Sequence, residues 1–283
     1  MEEFGNDIGS VMIWFLLLLI LVIYALSVFM TSWFMKRILP RPLIFHRGLE
    51  KKYKIYLLKY FPFYNALSER QKITFEKRVQ KFIDLKKFIP RGSIREISPE
   101  MKVMIAGSAI QLTFGYPNVY FRHFKRILIY PDNYYSTITR QYHKGEVNVR
   151  GLIVLSWRDF HAGFANPSDG INLGLHEMAH ALRLINIVEN DEFDFYEKQI
   201  MMQFDREAEI EIGRIKDSAM VPSIFRDYSF TNKEEFFAVA VELFFEKACL
   251  FKEYHPKVYK LLVEIFKIDP EPICKTAQYR KIA

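Results

Sequence analysis

The chain has 283 residues, half of them hydrophobic, and a formal charge of +7. That basicity lies mostly just behind an apolar N-terminal segment, which weakens a nucleic-acid-binding reading and points instead to anionic lipid head groups. No internal repeat, glycine-rich phosphate loop or low-complexity tract is present, so a repeat array and a P-loop nucleotide site are excluded.

Residues 1–8 carry Glu2, Glu3 and Asp7 but no Lys or Arg, and are expected as a short non-cytoplasmic tail. From Gly9 to Met35 the only polar breaks are Ser and Thr, which is long enough to cross a bilayer as one helix. Trp14 and Trp33 are spaced for the two interfaces. A signal peptide would have a basic start, a shorter apolar core and a small-residue cleavage site, so a retained anchor is the reading adopted. Residues 36–59 form a basic juxtamembrane segment with Lys36, Arg37, Arg41, Arg47, Lys51, Lys52, Lys54 and Lys59. Cations on this side alone orient the chain as a single-pass protein of the inner (plasma) membrane, with residues 60–283 in the cytoplasm. About 230 residues then remain, enough to bury one core. Cys249 and Cys274 are the only cysteines, and in a reducing compartment they read as packing residues.

Within the soluble part, Ser68 to Leu85 repeats apolar residues at helical spacing and predicts an amphipathic helix. Ser98-Pro99-Glu100 reads as the start of another, from Met101 to Phe114. Arg126 to Tyr130 and the run from Val147 to Trp157 are β-branched and bounded by turn residues, hence strands. The second run, as an edge strand, would pair with extended substrate. Phe160 to Gly170 is expected as a loop forming one wall of a cleft, with His161 a surface histidine without a ligand role.

His176, Glu177 and His180 spell HEMAH, an HExxH motif. On a helix this spacing sets two imidazoles one turn apart, with a carboxylate beside them able to act as general base. The flanking Leu173, Leu175, Leu182 and Leu184 make the helix apolar and buried, and a metal would partner the polar groups there. A pair of satisfied core histidines is the bland alternative.

A hydrolytic zinc site needs three protein ligands and an open position. Asn232 to Phe245 is apolar around most of its circumference, and Glu235, Val239, Glu242 and Glu246 share one face. Glu235 is therefore assigned as the third ligand and Glu242 as an acceptor for a ligand imidazole, while Glu234 complements the helix dipole. The acidic run Asp205 to Glu211 is a rival source that reads better as a solvated face.

Taken together, HEMAH, Tyr228, Glu235-Phe236-Phe237-Ala238 and Glu242-Leu243-Phe244-Phe245 resemble the zinc peptidase family of Mlc titration factor A, whose site is similar to that of the anthrax lethal factor catalytic domain. Tyr60-Phe61-Pro62-Phe63-Tyr64, Ile129-Tyr130-Pro131-Asp132 and Val154-Leu155-Ser156-Trp157 extend the resemblance from about Tyr53 to beyond Phe245. It implies one zinc per chain on His176, His180 and Glu235, Glu177 as base and Tyr228 as donor to the oxyanion. Unaided, Tyr228 is an ordinary turn-flanking aromatic. The titration factor is soluble, whereas this chain carries an anchor.

The expected fold is α+β, a zincin-like metallopeptidase domain preceded by one transmembrane helix. The expected activity is hydrolysis of a peptide or protein substrate through a metal-activated water. The alternative is a membrane-tethered protein that sequesters a transcription regulator, with zinc mainly structural. The sequence names neither substrate nor regulatory partner, nor does it choose between aminopeptidase and endopeptidase.

Overall fold

The computed structural model describes residues 3–38, 48–136, 140–188, 192, 197–217 and 224–273. It divides into two units, Met1–Arg47 and Gly48–Ala283. Arg41, Arg47 and Cys274 of the sequence expectations lie outside the described residues.

Among its described residues the first unit is one helix, α1 (Glu3–Ile38). Its stretch Met12–Thr31 has a mean hydropathy of 2.8 and buries none of its surface in the protein. A signal sequence near an N-terminus has the same profile, so the helix itself establishes only that it is long and apolar enough to cross a membrane. Two of its hydroxyls are accommodated without water: Ser27 donates to the Tyr24 carbonyl, and Thr31 to the carbonyls of Ser27 and Val28.

The second unit begins with α2 (Lys51–Tyr60), α3 (Pro62–Ala66) and α4 (Glu69–Leu85). The stretch expected as juxtamembrane thus includes α2, whose Tyr53, Leu57 and Tyr60 are buried in the core. α4 starts where predicted because Ser68 and Gln71 form a reciprocal capping box. Strand β1 (Lys87–Pro90) leads to α5 (Pro99–Leu112), capped by Ser98. Apolar on every side, α5 is buried from Val103 to Leu112 and packs against α2, α4 and α7. Only a glycine fits at 107, because a Cβ there would stand 2.5 Å from Phe61 Cζ.

The sheet contains β1, β2 (Arg126–Tyr130), β5 (Gly145–Asn148) and β6 (Leu152–Ser156) in the order β1-β2-β6-β5. The first three are parallel and β5 is antiparallel to β6. A separate hairpin, β3 (Tyr134–Ser136) and β4 (Gln141–His143), precedes β5. The strand expected from Val147 to Trp157 is therefore two strands folded back on each other. Gly151, at φ +77°, makes the turn that splits it. Of these two, β5 lies at an edge of the sheet and β6 is interior.

The expected loop after β6 is also largely helix. α6 (Trp157–Ala165) is capped by Ser156, which accepts from the Asp159 amide. His161 sits on α6, with Nε2 3.0 Å from the Tyr60 hydroxyl. Then follow α7 (Leu173–Ile187), α8 (Lys198–Asp217), a 3₁₀ turn (Asp227–Phe230), α9 (Lys233–Glu246), α10 (Ala248–Tyr254) and α11 (Pro256–Phe266). The mixture of helices with one mixed sheet is the α+β composition expected. The region after Phe251 continues the core, since Val258, Leu262 and Phe266 of α11 are buried and α11 packs on α8 and α9. Cys249 departs from the expected free thiol: it is disulfide-bonded.

Candidate metal centre

Helix α7 starts at Asn172, whose side chain accepts from the Leu175 amide. This puts His176 and Glu177 in the first turns and His180 one turn on, on a helix packed against α5, α9 and β5. His176 and Glu177 are buried. Their polar atoms face Glu235, which the Asn232 cap fixes in the first turn of α9.

One donor atom each from His176, His180 and Glu235 lies within 4.8 Å of the others. The two Nε2 atoms are 3.1 Å apart, and the Glu235 oxygens lie 3.2 Å from His176 Nε2 and 3.5 Å from His180 Nε2. Glu234 turns away, 3.9 Å from Arg183. The rival acidic run is engaged elsewhere: Asp205 holds Arg183 by two hydrogen bonds, Glu209 pairs with Lys233 and Glu211 with His255.

Behind the cluster stands Glu242, almost fully buried. His176 Nδ1 donates to its Oε1 at 2.8 Å, Arg226 Nη2 donates to the same oxygen at 2.5 Å, and the Asn172 amide donates to Oε2 at 2.5 Å. In the neutral imidazole, with Nδ1 holding the proton, the lone pair of His176 Nε2 faces the cluster. Burial alone would lower the His176 pKa, but the neighbouring carboxylates of Glu235 and Glu242 raise it to about 10. Burial likewise opposes ionisation of Glu235, yet His176 and His180 hold it below the usual carboxylate range. The pocket therefore draws in positive charge.

A proton meets that demand poorly. Glu235 Oε2, though 3.2 Å from His176 Nε2, is buried and has no aligned hydrogen bond. A divalent cation bound by two imidazoles and a carboxylate would engage all three groups, so the residues present fit a metal.

Glu177 and Tyr228 flank this cluster. Burial raises the Glu177 pKa, opposed by the charges of His176 and His180. Its carboxylate fits only because residue 145 is glycine, since a Cβ there would overlap it. Tyr228, in the 3₁₀ turn, has its ring centroid 6.3 Å from that of His176. Burial and then the neighbouring Glu235 push its hydroxyl up to about 12, so it remains a proton donor at neutral pH. Two cavities, of about 590 Å³ and 420 Å³, meet at Gly145, His176, Glu177 and Tyr228, and β5 borders the smaller one.

The sequence reading missed Arg226, Asn172 and Gly145. Asn172 was visible as an N-cap signal before HExxH, but Arg226 and Gly145 carry no local signal because α9 and α7 meet them only in the fold.

The chain matches the family of glucose-regulated metallo-peptidases M90 over residues 33–267. It belongs to that family. The resemblance to the family of Mlc titration factor A is thereby borne out. The chain is also 26% identical over 245 residues to the uncharacterized protein slr2042 of Synechocystis sp. (strain ATCC 27184 / PCC 6803 / Kazusa), covering 80% of this chain and 87% of that protein. A metallo-peptidase family implies a metal, and among the described residues His176, His180 and Glu235 form a group able to hold one.

Because the Gly145 Cα lies against Glu177, Gly145→Ala must displace that carboxylate. A displacement of about 1 Å is expected to lower kcat/KM on a chromogenic peptide about a hundredfold, with metal content unchanged by elemental analysis. Glu246 supplies a pH test. Burial raises its pKa from 4.5 to about 8, although Asn172 and the Gly170 amide donate to it. The folded state thus binds a proton that the unfolded state releases, and this group's contribution to stability is lost as pH rises from about 4.5 to about 8. Glu246→Gln should remove that component, raising the urea midpoint at pH 8 relative to wild type more than at pH 5.

Proposed function

We propose that this chain is a membrane-anchored, zinc-dependent peptidase with a zincin-like catalytic domain, cutting peptide bonds in the cytoplasm. The observation that carries the reading is the convergence of His176 Nε2, His180 Nε2 and the Glu235 carboxylate around a point where Glu235 Oε2 has no hydrogen bond. When bound there, zinc would supply Lewis acidity, lowering the pKa of a water and polarising the scissile carbonyl.

The chain's own residues then do the following. Glu242 orients His176 through Nδ1 and so aims Nε2 into the site. Glu177 takes a proton from the attacking water and delivers it to the leaving amine, the raised pKa from its burial favouring a base that can also act as acid. Tyr228 keeps its proton at neutral pH and donates to the oxygen that becomes negative as the carbonyl turns tetrahedral. The two cavities that meet at the cluster, the smaller bordered by edge strand β5, suit an extended peptide added as a further strand.

The cytoplasmic side is supported by the cations that follow the apolar segment against none before it. A disulfide at Cys249 is a feature of oxidising compartments and points the other way. The charge asymmetry rests on eight cations and is preferred.

Glu177→Gln should retain about one zinc per chain while turnover on a peptide panel disappears, because the base is not a ligand. Glu235→Ala should lose metal and turnover together, and Glu234→Ala neither; the reverse pattern in metal analysis would shift the ligand by one residue. Tyr228→Phe keeps the ring but removes the donor. At matched zinc occupancy it should lower kcat about a hundred- to a thousandfold with little change in KM, whereas a rate within a few-fold of wild type would take Tyr228 out of the mechanism. A cysteine placed near residue 4 should react with a membrane-impermeant reagent in cells with any outer barrier opened, and one at Lys51 should not. Labelling at Lys51 alone would invert the topology.

A further inference from the structure

The outer face of α2 and α4 carries apolar residues that the core does not use. Ile55, Leu58 and Ile73 are 63%, 50% and 54% exposed, while the opposite face of α2 buries Tyr53, Leu57 and Tyr60. Ile55 and Leu58 share one face of α2, and two contacts relate Ile73 of α4 to it. The Glu50 amide donates to Gln80 Oε1, and Lys54 pairs with Glu76 at 2.9 Å, so α2 and α4 run antiparallel. Extending that register puts Leu58 opposite Lys72 and Ile73.

Charge on this face is one-sided. Across residues 50–77 seven cations stand against three carboxylates. Each carboxylate already pairs with a lysine: Glu50 with Lys52, Glu69 with Lys72 and Glu76 with Lys54. Lys51, Lys59, Arg70 and Lys77 are the excess, and Arg70 and Lys77 flank Ile73 at helical spacing. Apolar side chains set among cations are what an amphipathic surface presents to an anionic bilayer interface. A second copy of this face would bring like charges together, which disfavours self-association.

We infer that the α2–α4 face docks on anionic membrane lipid, with Ile55, Leu58 and Ile73 entering the boundary between head groups and acyl chains. The inference rests on reading α1 as the anchor. Residues 39–50 link Ile38 to Lys51, so in an anchored chain the tether enters the domain at the start of α2. α5 packs against α2 and α4 and also against α7, and so intervenes between the docked face and the HExxH helix. Docking would thus orient the catalytic domain without covering the cluster.

The test uses the full chain in lipid nanodiscs, of phosphatidylcholine alone or with phosphatidylglycerol added. Photoreactive p-benzoylphenylalanine replaces Leu58, Ile73 or, as a control, Ile210, which is equally exposed on α8. Alkaline carbonate extraction of the same chain from membranes comes first, and release there would sink the anchor reading itself. For a chain that resists extraction, lipid adducts at positions 58 and 73 should exceed those at 210 by on the order of tenfold in anionic discs, and Lys51→Glu with Lys59→Glu should remove most of that excess. Equal adducts at all three positions, equal adducts with and without phosphatidylglycerol, or crosslinks between protein chains in place of lipid would each overturn the docking and leave the anchor standing.

Discussion

The buried carboxylate of Glu242 is the interaction on which the site depends. It sits on α9 and accepts from α7 through His176, from the start of α7 through the Asn172 amide, and from the segment before Tyr228 through Arg226. A carboxylate in the core is tolerated only with such partners, and here they are the elements that must be held in register. One group therefore sets the tautomer of His176, joins the two helices that carry the His176, His180 and Glu235 cluster and tethers the turn bearing Tyr228.

Glu246, one turn further along α9, repeats the arrangement more weakly. It accepts from Asn172 Nδ2 and the Gly170 amide, so the chain entering α7 is bound to α9 at two levels. Asn172 takes part in both and caps α7 as well. The cluster is thus positioned from the helix starts, where unsatisfied amides and carboxylates can complement one another, before any metal is considered.

Much of this was legible in the sequence because helical spacing reports directly on shared faces. The HExxH spacing and the face carrying Glu235, Glu242 and Glu246 are periodic, and the capping residues Ser68 and Ser98 mark their helices by local chemistry. What failed to show depends on contacts between distant segments. Nothing near Gly145 announces that Glu177 will lie against it, and nothing near Arg226 names Glu242. The two misread elements fail for local reasons: Gly151 divides one apolar run into a hairpin, and Ser156 caps a short helix within a stretch whose glycine, asparagine and proline suggested loop. The family of the chain followed from several motifs agreeing at once, more than from any one of them.

Strand β5 has four residues and one side not paired within the sheet. Its shortness keeps the exposed edge from templating aggregation. It also limits what could lie there: a segment that adds to four residues of strand must already be extended and free of its own hydrogen bonds. A cleft of this kind would choose its targets by local unfolding as much as by side chain, so that the stability of a substrate segment, and whatever binds and orders it, would govern whether it is cut.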